Sequence, residues 1–371
     1  MLEQVVNRAN QTGEPYSIHP EDVRPMPLFR GTSFHRVLSP GRPDEGVSRR
    51  RFLLSLGAIA GGAALAPLLT RIPAVAALGG RLCRVEASRA GLGTWIRIVA
   101  RHPESAAAER AVARAFAAID RVDAQMSIHR PDSELARVNA AAGDRQVPVG
   151  PALLDVVERA RRDAIETHGV HDPTVLPLMK LYGFYDSGRT HLPGDREIAA
   201  TLACMGAGLI VVDRGAGTLG LARRGAALDL GSIGKGWAID RAVEALKAEG
   251  VENALVDVGR NVYGLGVPED DAEGWRVGVL HPVTGAVDRV FTLRDQAVAT
   301  SGNYEQWRTL DGVRVGHLLD AHLGRPANTH LSATVLARTG VDSDENSSRA
   351  FLAGAESVRN VEGVLATHFI G

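Results

Sequence analysis

The sequence predicts an α+β fold. Three observations carry this. Helix-like and strand-like periods are mixed along the chain without the strict alternation of a doubly wound sheet. Six short runs read as strands: Leu209 to Val212, Thr218 to Ala222, Ala254 to Val258, Arg276 to Leu280, Arg289 to Leu293 and Ser332 to Ala337. The stretch from Ala226 to Gly266 links a Gly-rich turn to an amphipathic helix and a second buried run.

The elements follow in order. Thr94 to Ala100 reads as a strand and Glu104 to Gln125 as an amphipathic helix, with further helices over Leu153 to Glu166 and Thr174 to Leu181. From Ala226, an apolar run ending in Asp229 reads as a strand. It turns through Gly231, Ser232, Gly234 and Lys235 into a helix carrying Trp237, Ile239, Ala242, Val243 and Leu246, which Gly250 stops. Ala254 to Val258 then reaches a second glycine turn at Gly259, so two strand ends, each with an aspartate, are expected to face one crevice. Asp311-Gly312 marks a hairpin between Trp307 and Val315.

The first 47 residues are polar and rich in Pro, Gly, Arg and Asp, which predicts disorder. Ser48-Arg49-Arg50-Arg51-Phe52-Leu53, a Gly/Ala-rich apolar run and Ala74-Val75-Ala76 then have the layout of a twin-arginine export signal, with cleavage expected after Ala76. A soluble periplasmic domain over residues 77–371 is the expectation, with an uncleaved signal as the route to membrane association. The long lead before the arginines is also what a start codon lying further downstream would leave.

Composition narrows the function classes. Lys and Arg number 42 against 43 Asp and Glu, so no field attracts nucleic acid. The two cysteines, Cys83 and Cys204, exclude a disulfide framework or a Cys-rich metal site, leaving one bridge or two unrelated thiols. No G-x-S-x-G elbow supports a serine hydrolase.

Several motifs could carry chemistry. Glycines where a turn meets a helix N-terminus let backbone N–H groups approach a phosphate, but GSIGKG is neither a Walker loop nor a GxGxxG fingerprint, and such turns also serve packing. Leu92-Gly93-Thr94 reads as a turn. In the segment from Met126 to Leu135, Ser133 or Asp132 can cap a helix while the preceding loop presents His129 to a flat ligand. His168, Val170, His171 and Asp172 lie in a loop without the helical spacing of a zinc site, and Asp172 before Pro173 equally fits a helix start. Ser301, His317 and Asp320 could hold a substrate and a general base, or be an ordinary polar loop and hairpin. Asp344 and Ser348, four apart, share a helix face near its N-terminus and suit Mg²⁺; Ser343 or Asp342 as N-cap is the simpler use of that segment.

Taken in order, LGT at Leu92, MS-x-x-RPDSEL-x-R-x-N from Met126, DPTV-x-PL from Asp172, LDLGSIGKGWAID from Leu228, ATSGNY from Ala299, H-x-x-D-x-x-x-GRP from His317 and D-x-x-x-S at Asp344 resemble the ApbE family of FAD:protein FMN transferases. The resemblance implies an ApbE-like, T-fold-related mixed α/β domain. It also implies Mg²⁺-dependent transfer of FMN from FAD to a Thr or Ser hydroxyl of an exported target, releasing AMP. It places Asp344, Ser348 and an oxygen of Ser232 on Mg²⁺. Leu92, His129, Val170, His171, Asp172, Asp229, Lys235 and Ser301 would lie on the FAD. His317 becomes the base and Asp320 its orienting partner. The acceptor would be an FMN-bearing domain of a respiratory electron-transfer protein. The chain departs from the family at His129, where an aromatic ring is usual, at Leu92, at Ser348, and at Arg260-Asn261, a turn expected near the nucleotide. A flavin carrier without transfer and an FAD pyrophosphatase are the rival readings.

Overall fold

The computed structural model describes residues 82–185, 188–268, 271–327 and 329–371; the disordered lead and the export signal expected from the sequence lie outside them. The chain opens with strands β1 (Cys83–Gly91) and β2 (Thr94–His102), then helices α1 (Ser105–Met126) and α2 (Glu134–Ala140). Strand β3 (Val147–Pro148), α3 (Pro151–Glu166), a 3₁₀ turn at Pro173–Val175, α4 (Leu176–Leu181) and α5 (Asp195–Leu202) follow. After β4 (Ile210–Asp213) and β5 (Thr218–Leu221) come α6 (Gly234–Ala248), β6 (Asn253–Val258), β7 (Asn261–Leu265), β8 (Trp275–Leu280), β9 (Val287–Leu293) and β10 (Gln296–Ser301). The remainder is β11 (Trp307–Leu310), β12 (Val313–Gly316), β13 (Leu319–Asp320), β14 (Arg325–Pro326), β15 (Ser332–Ala337), α7 (Gly340–Ala353) and β16 (Val364–Ile370).

Seven strands form one antiparallel sheet in the order β1-β2-β6-β7-β10-β15-β16. The period of two sorts its residues between two faces. Ala254, Val256 and Val258 of β6 enter the main core with Ala111, Phe116 and Ile119 of α1 and Ala238, Ile239 and Ala242 of α6. Val262, Val298 and Leu255 turn the other way, onto Val279, Phe291 and Leu293 of the β8–β9 hairpin. Helix α7 packs beside α6 and covers β10 and β15 through Ala350 and Phe351. The mixed architecture is α+β, as the sequence predicts.

The strand readings hold to within a residue or two at most ends. Asp311 (φ 50°) and Gly312 (φ 78°) make the expected turn between β11 and β12. Strands β1, β7, β10 and β16 add to those read from sequence.

Four local expectations are corrected. Ala226 to Asp229 is extended but not a strand, because its backbone bonds to Asn139 and Pro173 rather than to a neighbouring strand. The opening motif is therefore strap, turn, helix. Asp257 closes its own turn by accepting from Arg260 N at 2.8 Å. The helix expected from Thr174 begins as the 3₁₀ turn, capped by Asp172, which accepts from Thr174 N at 2.8 Å. Neither Ser343 nor Asp342 caps α7: Thr339 does, accepting from Asp342 N at 3.1 Å, which moves Asp344 and Ser348 into the helix interior. Cys83 and Cys204 are separate free thiols. Among the described residues no helix is long and apolar enough to cross a membrane.

Helices α6 and α7 meet through bare backbone. A Cβ on Gly236 would stand 2.2 Å from Gly340 O, and one on Gly340 would stand 2.6 Å from Gly236 O. Asp240 locks the junction by accepting from Gly340 N at 2.6 Å and Val341 N at 2.9 Å, while burial pushes its carboxyl up to about 6. Gly236→Ala should therefore destabilise the protein by about 3 kcal/mol in chemical denaturation. An unchanged midpoint would show that the helices separate freely.

Candidate functional site

The strap before α6 is held entirely by side chains and turns. Asn139 of α2 brackets Leu228, donating Nδ2–H to its carbonyl at 2.9 Å and accepting its N–H at 2.7 Å. Asp229 N donates to Pro173 O at 2.8 Å, tying the strap to the Asp172 turn. The Asp229 carboxylate accepts from Gly231 N at 2.8 Å and from Tyr185 Oη at 2.7 Å. A buried extended segment with no strand beside it must bond its backbone elsewhere.

Asp344 is the centre of the site. It is 2% exposed, and its carboxylate accepts from Gly236 N at 2.9 Å, Lys235 Nζ at 3.0 Å and Asn261 Nδ2 at 2.6 Å. No side chain of its own first turn caps α6, so the carboxylate from α7 meets the positive end of that helix. Lys235 Nζ also donates to Gly231 O at 3.0 Å. One turn along α7, Ser348 Oγ lies 3.0 Å from Ser301 Oγ of β10, which also lies 2.8 Å from Ser347 Oγ. The structure thus brings Asp344, Ser348, Ser301, Lys235 and the turn together. Gly231 O and Asp344 Oδ1 form a seat for a positive charge, which Lys235 fills. An all-oxygen set of carboxylate, carbonyl and hydroxyl is of the kind that fits a hard divalent cation.

His171 lies behind the turn. Its Nε2 is 2.8 Å from Ser232 Oγ and its Nδ1 2.5 Å from Asp163 Oδ2. Burial lowers the imidazole's pKa, but the Asp163 carboxylate more than offsets this, and the net shift is upward. Arg349 of α7 holds Asp163 Oδ1 at 2.8 Å. Both His171 nitrogens are engaged by side chains.

A second group of residues stands beside the first. Ala321 N donates to Val170 O at 3.2 Å, joining the segment after Asp320 to the His171 loop. His317 meets the ring of Phe184 edge-on, with centroids 6.5 Å apart. Asn303 bridges the two halves of this region, accepting from Leu318 N at 2.9 Å and donating to Ala327 O at 2.6 Å. Asp320 Oδ1 accepts from the N–H groups of His322 and Leu323, so its carboxylate holds the turn that follows His317. His129 packs edge-on to Tyr185 at 5.5 Å, and both line a cavity of about 850 Å³ with Asn139 and Lys180. Leu92 (φ 49°) sits in the β1–β2 turn, next to the Gly259 turn through Gly259 N donating to Trp95 O at 2.9 Å.

The sequence reading missed three contributors. Asp163 sits among Val156, Val157, Ala160 and Ala164 on the buried face of α3, and an acid on an apolar stripe was the available signal. Tyr185 carried none, because only the fold brings it to Asp229. Asn261 was expected at a turn near the nucleotide, but its bond to the central carboxylate had no signal in the sequence. Asn139→Ala should cost about 2 kcal/mol, the loss of two hydrogen bonds to one buried peptide, read by chemical denaturation. A variant as stable as the parent would mean that the strap is held elsewhere.

Comparison with known proteins agrees with this arrangement. A sequence model described as the ApbE family matches residues 92–364, which include every one of these site residues. FAD:protein FMN transferases of Klebsiella pneumoniae and Treponema pallidum are 32% and 34% identical to the chain, over 75% and 76% of it and 82% and 83% of their own length. The flavin transferase ApbE of Vibrio cholerae superposes with a TM-score of 0.68 at 28% identity, over 81% of this chain and 98% of that one. An ApbE protein from Thermotoga maritima gives 0.70 at 29% identity, over 77% and 94%. With a family match across nearly all of the described residues and the same architecture in solved relatives, the chain belongs to the ApbE family.

Proposed function

We propose that the protein is an FAD:protein FMN transferase. It moves FMN from FAD to a Thr or Ser hydroxyl of an exported acceptor and releases AMP. The observation that carries this reading is the junction at the start of α6, where Lys235, the Gly231 carbonyl and Asp344 gather charge around a Gly-rich helix N-terminus. That is the charge pattern a diphosphate and its counter-ion need.

In this reading Lys235 and the turn N–H groups bind the diphosphate. His129 and Tyr185 line the cavity beside Asp229, where a ring of FAD would lie. Asp344, Ser348 and the backbone carbonyl of Ser232 or Gly231 would hold Mg²⁺, which when bound neutralises charge on the diphosphate oxygens. His317, one residue before the Leu318 N–H that Asn303 accepts, takes the proton of the acceptor hydroxyl, with the Phe184 ring packed against it. Asp320 fixes the loop behind it. An alkoxide attacking a phosphoanhydride needs positioning and charge neutralisation more than new covalent chemistry, which suits a site built of backbone amides and one buried carboxylate.

The acceptor is an FMN-bearing domain of a respiratory electron-transfer protein. The twin-arginine signal carries the transferase to the periplasm to meet it.

The test mixes the protein with FAD, Mg²⁺ and an FMN-binding acceptor domain and follows flavin fluorescence on the denatured acceptor. A covalent, Mg²⁺-dependent band is expected. Asp344→Ala should abolish it, and His317→Ala should slow it by roughly 10²-fold or more. AMP without a band would indicate an FAD pyrophosphatase, and bound FAD without either product a flavin carrier.

A further inference from the structure

We propose that Ser232 is itself an FMN acceptor, so that the protein forms a covalent FMN–serine phosphoester within its own chain when no partner is present. The inference rests on the flavin-transfer reading above and adds to it a modification site.

The geometry is that of an activated hydroxyl. Ser232 Oγ lies 2.8 Å from His171 Nε2, and His171 Nδ1 lies 2.5 Å from Asp163 Oδ2. Asp163 is 6% exposed and its other oxygen accepts from Arg349 at 2.8 Å, so both of its oxygens are held in place. With Nδ1–H donating to Asp163, the imidazole is in the tautomer whose Nε2 faces Ser232 as acceptor. Nucleophile, base and orienting carboxylate stand in hydrogen-bond sequence, the arrangement that makes a serine reactive on unrelated folds. Other serines of the site are used differently. Ser347 donates to Asp344 O at 2.9 Å, Ser343 donates to Gly340 O at 2.9 Å, and Ser301 and Ser348 bond each other.

Position adds an independent argument. Ser232 lies in the turn itself, three residues before Lys235, and is partly exposed while His171 and Asp163 behind it are closed off. A serine needing only a structural partner could use a backbone carbonyl, as Ser133 does with Ser127 O at 2.7 Å. Here three elements, α3, α7 and the His171 loop, converge to orient one imidazole.

The step balances without a co-reactant. Ser232 Oγ forms a bond to the FMN phosphorus, the anhydride bond to AMP breaks, AMP leaves with the bond's electrons, and the Oγ proton passes to His171 Nε2. Nothing is oxidised or reduced.

The experiment incubates the full protein with FAD and Mg²⁺, with and without the acceptor domain, and reads both polypeptides by intact mass and by peptide mapping of the 228–235 segment. Without acceptor, an added mass of FMN less water on Ser232 is expected. Ser232→Ala should carry none at that position, and His171→Phe should form the adduct slower by on the order of 10²-fold. The unsubstituted protein decides the matter even if a variant folds poorly. An acceptor that is labelled while residue 232 stays unmodified overturns the self-labelling and leaves the transferase reading intact. FMN and AMP with no adduct, or flavin on a different residue, overturns it as well. No label on either polypeptide overturns both.

Discussion

The site depends on one buried carboxylate. Asp344 receives hydrogen bonds from a helix N-terminus, a lysine and an asparagine, and these three donors belong to α6 and β7 while the acceptor belongs to α7. An unpaired carboxylate at that depth would carry a large desolvation penalty, so folding is favourable only when all three elements arrive together. The same three donors surround the carboxyl group where solvent is excluded. Function and stability therefore press on the same side chain. Removing its partners leaves a charge without solvent, and removing the charge leaves a helix end and a lysine without their acceptor.

Backbone proximity makes this convergence possible. Gly236 and Gly340 let α6 and α7 approach until carbonyls occupy the space where side chains would stand, and Asp240 caps the second helix from the first. The seven-stranded sheet supplies the floor, with β10 delivering Ser301 to the hydroxyls of α7. A sheet below and two interlocked helices above hold the turn at Gly231 and the oxygen atoms around it in place. Such preorganisation is what phosphoryl chemistry asks of a protein.

Behind this front lies a second layer of charge. Arg159 pairs with Asp342 and Glu345 at 2.7 and 2.6 Å, and Arg349 pairs with Asp163 and Glu166. Burial raises the Glu345 carboxyl, with Arg159 working against it. These pairs fasten α3 to α7, so the helix that carries Asp163 is tied to the helix that carries Asp344. The two chemistries proposed for the site, transfer to a partner hydroxyl and transfer to Ser232, thus share one frame but use different bases, His317 and His171.

The sequence by itself determined the secondary elements with strong periods, the hairpin at Asp311-Gly312, a helix cap at Ser133 or Asp132, of which the structure uses Ser133, and the set of motifs that marked the family. Those are local properties, set by side-chain period, turn chemistry and residue identity. It misread Ala226 to Asp229 as a strand, because an apolar run looks alike whether its backbone bonds to a sheet or to an asparagine 89 residues away. It placed the cap of α7 too late, since Thr339 and Ser343 carry the same capping hydroxyl. Only the tertiary structure decided that Asn261 bonds Asp344, that Tyr185 bonds Asp229, and that Asp163 and Ser232 share one histidine. Each of these pairs is distant in sequence, and no local pattern encodes a hydrogen bond whose partners meet only when sheet and helices close.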